Sequence, residues 1–174
     1  RDRCAWVRRL GYQVVDFLLK NQFNDKIIPF LQTEIGLLVA GKVPLSDLAV
    51  TCLMKSPEEY KTEKLIQRIT AAKVTGRTGT LIEPGSRLRY IVIESSEPYY
   101  NRGESLEYFK EHSSLKIDRM YYLEKQLANP VRTLLKHHSN MVRLFNELVK
   151  RYASEIQRSS RGIRSLHDFK KRKL

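Results

Sequence analysis

Arg87 and Arg89 stand two residues apart in the run RLRYIVIES, residues 87 to 95, where β-favouring residues alternate. Residues two apart on a strand share a face. The spacing therefore aims two guanidinium forks the same way, a geometry suited to two successive phosphates. Leu88, Tyr90 and Val92 take one face of this predicted strand, and Arg87, Arg89, Ile91 and Ile93 the other, which assigns Tyr90 to the core. Lys55, Lys64, Lys73 and Arg77 are near in sequence and extend the cationic set. No other reactive groups are so organised. General acid–base work needs carboxylates or histidines brought together, and here the acids stand singly among basic neighbours. Of the four histidines, His112, His137, His138 and His167, the adjacent pair would point in different directions on a helix. That pair falls at a predicted helix C-terminus, where it suits the dipole and not a metal. No Ser, Cys or Lys sits in a nucleophile motif, and no glycine-rich phosphate loop follows a strand. The expectation is a chain with no catalytic residues and no metal site of its own, built to hold a polyanion.

Charge points the same way. Thirty-two Lys and Arg against nineteen Asp and Glu give a net charge of +13 in 174 residues, with a pI near 9.9. Such an excess implies nucleic acid before an acidic membrane. A chain that is 41% hydrophobic and 29% charged reads as globular and about one domain long. Cys4 and Cys52 lie far apart with no CxxC spacing, so two buried, reduced thiols are expected. No apolar run approaches the ~18 residues of a membrane span, and the absence of an initial Met suggests a portion of something longer.

The elements that must position these residues are mostly helical. CAWVRRLGYQVVDFLLKN, residues 4 to 21, repeats apolar groups at Trp6, Leu10, Val14, Phe17 and Leu18, one helix face. A second helix starts at Asn24, tolerates Pro29 early, and stops at Gly41. Residues 45 to 55 read as a strand, and a helix from Pro57 closes at Gly76. Residues 77 to 86 are turn formers, the strand 87 to 95 follows, and SEPYYNRGESLEYF is a loop leading to a short helix. Residues 118 to 137 form a long helix opened by Asp118, and 139 to 157 the last one, capped by Ser139 or Asn140. The fold class expected is α+β, predominantly α-helical, with long helices and a small inserted β-sheet. Past residue 157 the apolar pattern ends. Residues 150 to 174 hold nine Lys or Arg against two acids, so that end supplies seven of the thirteen net charges.

Three motifs occur in an order that carries a resemblance. Arg1-Asp2-Arg3-Cys4 opens the chain; Gly85-Ser86-Arg87-Leu88-Arg89-Tyr90-Ile91-Val92-Ile93 follows a basic loop; Asp118 through Pro130 and Arg132 read DRMYYLEKQLANPVR. These resemble the RRDxC, GxRVxYVI and DxxYYLxxQLxxPLxRIL elements of the thumb of a delta-like family B DNA polymerase, through nearly all of residues 1 to 136. The resemblance implies the thumb portion of a replicative DNA-directed DNA polymerase, a nucleotidyltransferase. Its catalytic palm, where Mg2+ is expected, its fingers and its exonuclease lie elsewhere in the parent, so this chain alone is expected to be inactive. It further implies a thumb domain over 1–158, gripping primer-template duplex through sequence-independent backbone contacts, and a basic, flexible tail over 159–174. Duplex DNA carries a phosphate charge every ~1.7 Å, which basic residues meet without reading bases.

The DNA-binding set expected is Lys55, Lys64, Lys73, Arg77, Arg87, Arg89, Arg119, Tyr122 and Lys125. On the 118 to 137 helix, Tyr122 and Gln126 fall on one side and Met120, Leu123 and Leu127 on the apolar side, while Tyr121 is assigned to packing. Pro130 should bend or divide that helix after Ala128 and Asn129. The chain departs from the family in two places. TEKLIQRI stands where a PHV-like element is usual, and FKKRKL ends the chain where delta-type enzymes continue into a metal-binding cysteine-rich tail, which favours a large double-stranded DNA virus or a divergent relative over a cellular delta subunit as source. The tail is loosely similar to a sliding-clamp peptide, with Ile163, Leu166 and Phe169 at the right spacing but no Gln before them and Lys170 where a second aromatic belongs; an import signal or nonspecific DNA-binding tail, and plain disorder, compete with that reading. Expected partners are primer-template duplex, the palm and exonuclease of the same polypeptide, and a sliding clamp or processivity factor, at the nucleus or a viral replication site. The alternative is a standalone basic helical adaptor for nucleic acid or protein. A helix-turn-helix regulator is disfavoured because neither early helix opens with base-reading residues.

Overall fold

A computed structural model of the chain describes residues 2–171, with the backbone alone for residues 23, 24 and 161–171. It is α+β and predominantly helical, as expected, and folds into two compact units. The first comprises the N-terminal residues through Arg8 and Pro44–Asp118; the second comprises Arg9–Val43 and the residues from Arg119 onward. Helix α1 (Ala5–Leu19) contributes residues to both.

The first unit is built on an antiparallel sheet of three strands in the order β1-β2-β3: β1 (Val50–Leu53), β2 (Arg87–Val92) and β3 (Gly103–Ser105). Residues 45 to 55 are not one strand. Pro44 leads a single helical turn, α3 (Leu45–Leu48), whose carbonyls at Pro44 and Leu45 take the amides of Asp47, Leu48 and Ala49 before the chain extends. The helix expected at Pro57 also shortens. Ser56 and Glu59 form a capping box, with the Ser56 amide donating to Glu59 Oε2 at 2.9 Å, but it serves only the 3-10 turn Pro57–Glu59. An irregular segment leads to Leu65, and α4 (Ile66–Thr78) begins there and passes Gly76 to stop at Gly79, which takes φ 70°. Strand β3 and α5 (Leu106–Glu111) lie in the stretch read as loop and short helix. Ala49, Ile91, Ile93 and Leu106 form a buried cluster with Leu45, Phe109, Leu115 and Ile117 against it. Helix α4 approaches β3 so closely that a Cβ at Gly103 would collide with Thr70 Oγ1 and stand 2.6 Å from Ile66 Cγ2.

In the second unit α2 (Phe23–Val39) ends at Gly41 as expected, with φ 68° and the Lys42 amide returning to Leu37 O at 2.8 Å. The segment after Asp118 is neither divided nor plainly α-helical: α6 (Arg119–Tyr121) continues into a π-helical stretch (Tyr122–Ala128) and then α7 (Asn129–Leu135). Pro130 lacks an N–H and its ring crowds the carbonyl four residues back, at Gln126. A local widening to π geometry absorbs that conflict where a bend was expected. Helix α8 (Ser139–Lys171) runs past residue 157. Its Met141, Phe145, Leu148, Val149 and Ile156 are buried, and the Tyr152 hydroxyl donates to Gln32 O of α2 at 3.1 Å. Cys4 and Cys52 are buried and form no disulfide; burial, with the Asp2 carboxylate second, pushes the Cys52 thiol up to about 12.

Candidate nucleic-acid interface

The β1–β2 ladder sets Leu53 opposite Arg87 and Thr51 opposite Arg89, so all four share one face. Leu53 is 59% exposed, Arg87 and Arg89 are exposed, and Thr51 is half-buried. Leu88 and Tyr90, on the opposite face, are buried, as the strand period requires. Among the described residues neither Arg87 nor Arg89 has a side-chain hydrogen bond or ion pair. The ladder is extended by the Met54 amide to Ser86 O at 2.9 Å and the Gly85 amide to Met54 O at 2.8 Å, with Gly85 at φ 85°. The two guanidiniums thus project from a strand whose register is pinned at the turn before it.

Beside this turn lies an open cleft of about 290 Å³, lined by the apolar parts of Met54, Pro57, Tyr60, Leu81, Ile82 and Pro84 together with Lys55 and Arg68. The Tyr60 hydroxyl accepts from the Lys55 amide at 3.0 Å and turns its proton toward Met54 Sδ at 3.9 Å. The Arg68 guanidinium lies 5.3 Å from the Tyr60 ring centroid. Sequence reading selects Lys55 here but misses Arg68 and Tyr60; their cue is the shared cleft, which no periodicity announces. Lys55 and Lys64 are both exposed.

Lys73 and Arg77, expected to contact DNA, are engaged within the first unit. Both side chains turn to Glu104 of β3, which is buried: Lys73 Nζ donates to Oε1 at 2.8 Å and Arg77 Nη1 to Oε2 at 2.7 Å. Lys73 Nζ also donates to Asn101 O at 2.6 Å and Gly103 O at 3.1 Å. The Arg77 guanidinium sits 3.5 Å from the Tyr108 ring centroid, and that ring stacks on His112 at 3.8 Å. Burial alone would raise the Glu104 carboxyl, but hydrogen bonds from Arg77 and Lys73 outweigh it and hold it below its ordinary value. These two cations brace α4 against the sheet, because a buried carboxylate recruits the nearest positive charge.

In the second unit Arg119 and Tyr122 are engaged within the fold. Arg119 Nη1 donates to Val39 O at 2.6 Å, satisfying a carbonyl at the end of α2. Tyr122 is fully buried, its ring edge-on to Tyr121 at 5.5 Å, so it cannot reach a duplex while this unit is folded. Gln126 is buried and donates to the hydroxyl of the half-buried Tyr121 at 3.1 Å. Lys125 is exposed. The side chains of Ile163, Leu166 and Phe169, and residues 172–174, lie outside the described residues.

The first unit thus presents an exposed arginine pair on one face of a three-stranded antiparallel sheet. The family model for DNA polymerase family B matches residues 1–138, and the chain belongs to that family. Its relatives include DNA polymerase 2 of Aeropyrum pernix, 28% identical over 78% of this chain and 16% of that protein. The DNA polymerase delta catalytic subunit of Dictyostelium discoideum is 31% identical over 78% of this chain and 12% of its own length. The DNA polymerase of Acanthamoeba polyphaga mimivirus is 26% identical over 95% and 10%. The chain therefore spans a small part of each of these relatives. The family B DNA polymerase structure from Pyrobaculum calidifontis superposes with a TM-score of 0.64 over 78% of this chain and 18% of that one, at 24% identity, a likeness of fold.

Proposed function

We propose that this chain is the thumb portion of a replicative DNA-directed DNA polymerase, gripping primer-template duplex through backbone contacts that ignore sequence. The observation carrying this reading is the exposed Arg87–Arg89 pair on one sheet face, without side-chain partners among the described residues, in a chain of the polymerase family. Lys55 and Lys64 extend that cationic surface, and Lys125 is a separate candidate contact in the other unit. Nucleotide transfer then belongs to the palm of the parent polypeptide, together with its Mg2+. Among the described residues no three His, Cys, Asp or Glu side chains gather to hold a metal ion, so no step is assigned to one here. The palm and exonuclease of the same polypeptide are proposed partners, with a sliding clamp or processivity factor further off. A nuclear or viral replication site follows from the same reading; no helix among the described residues is long and apolar enough to cross a membrane. A source among large double-stranded DNA viruses belongs to the same reading.

The test is binding of the purified chain to unrelated duplexes, single strands and RNA across a salt series. Comparable affinity for all duplex sequences, falling steeply with salt, supports the grip. Preference for one RNA or one DNA sequence refutes it.

A further inference from the structure

The cleft beside the arginine strand has features that plain grip on paired DNA does not use. Its volume of about 290 Å³ sits at the lower edge of ligand clefts, roughly 300 Å³, so it suits something as small as one nucleotide and excludes a peptide helix. Its walls are apolar, with one aromatic ring, Tyr60, and its two charged residues, Lys55 and Arg68, are both cations. Flat apolar walls beside positive charge make a setting for a base with its phosphate. The only neutral hydroxyl in the lining is engaged: Tyr60 Oη accepts from the Lys55 amide and points its proton at Met54 Sδ. No neutral polar side chain remains to read a base edge, so the site discriminates shape and stacking, not sequence. It is continuous with the grip surface, since Met54 pairs by backbone with Ser86 and Gly85, next to Arg87.

We infer that this cleft receives a single unpaired, extrahelical nucleotide from a duplex held on Arg87 and Arg89. The base inserts among Tyr60, Leu81 and Ile82, and Lys55 and Arg68 take the flanking phosphates. Paired bases stay stacked and leave the cleft empty, whereas a slipped nucleotide has already lost its partner and enters at little cost. The site thereby marks slippage errors in newly made duplex by holding them more tightly. This inference rests on the grip proposed above.

The test uses the full chain and two short duplexes of one sequence, one fully paired and one carrying a single extrahelical 2-aminopurine. Affinity is read from the anisotropy of a distal dye and base burial from 2-aminopurine fluorescence. The expected result is about tenfold tighter binding of the bulged duplex, with a fluorescence change on binding. Leu81→Gln, at a side chain 71% exposed and therefore without effect on folding, removes the preference and leaves paired-duplex affinity unchanged. Equal, salt-sensitive affinity for both duplexes overturns this inference and leaves the grip intact. Failure of both to bind in a salt-sensitive way overturns the grip and this inference with it. A preference that survives Leu81→Gln places the base elsewhere and overturns it too. So does saturable binding of an acidic, leucine-bearing peptide that Leu81→Gln abolishes, with no preference for the bulge, since the occupant is then a protein segment.

Discussion

Replacing Arg87 and Arg89 together by Gln separates cations that meet DNA from cations that hold the fold. Each neutralised phosphate contributes about 0.9 to the slope of log affinity against log salt, so losing both guanidiniums should flatten the slope by about 1.8. Over a fourfold rise in salt the parent chain then loses about tenfold more affinity than the double variant, a difference that titration of a labelled duplex resolves easily. Both side chains are exposed and lack side-chain partners among the described residues, so stability should be unchanged. The comparison is Lys73→Gln with Arg77→Gln. Those side chains are 27% and 36% exposed and hold Glu104, itself 6% exposed. Their loss strands a buried carboxylate, at a cost of about 2–3 kcal/mol, below the about 3–5 of a fully buried pair because solvent reaches both cations. The urea midpoint should drop while the salt slope of the folded protein holds. The reasoning is refuted if the two double variants flatten the slope equally, or if Arg87 and Arg89 change stability instead.

Tyr122→Ala should cost about 3–5 kcal/mol as a cavity opens in the second unit, with duplex affinity of the molecules that remain folded unchanged; reduced affinity at full folding would restore Tyr122 to the interface. Gly103→Ala should destabilise by about 1–3 kcal/mol, because Thr70 Oγ1, which the new Cβ meets, is buried and bonded to Ile66 O at 2.7 Å; Thr70→Ala should recover part of that loss in a chemical-denaturation cycle. Glu104 has a folded pKa below its unfolded one, so its contribution to stability is complete above the ordinary carboxylate value and is lost as pH falls below it. Urea midpoints taken downward from pH 5 should therefore fall more steeply for the parent chain than for Glu104→Gln, and parallel curves would deny Glu104 that role.

The arginine pair was legible because a strand repeats every two residues, and the pattern RLRYIVIES admits one facing, which the register of β1 on β2 repeats. The helical skeleton was legible for the same reason at the period of 3.6. Glu104 was not. It lies 31 residues after Lys73 and 27 after Arg77, in a stretch that reads as turn, and only the docking of α4 on β3 makes it their partner. The helix before Pro130 misled for a geometric reason: an α-helical period pairs Tyr122 with Gln126, whereas in the π-helical stretch Gln126 meets the Tyr121 hydroxyl, five residues back, and Tyr122 rotates into the core. Charge counting treats every surface cation alike, and so gives no sign that Lys73 and Arg77 are already paired with a buried acid.

Lys73 has a second effect through the two carbonyls it takes at Asn101 and Gly103. A strand at the border of a sheet exposes acceptors that recruit further strands from other molecules. Here β3 is an outer strand of the three, and one ammonium takes the Gly103 carbonyl at its start. Neutralising Lys73 would therefore do more than loosen a brace: it would uncover a template for intermolecular β-pairing, and self-association on concentration would be its visible sign.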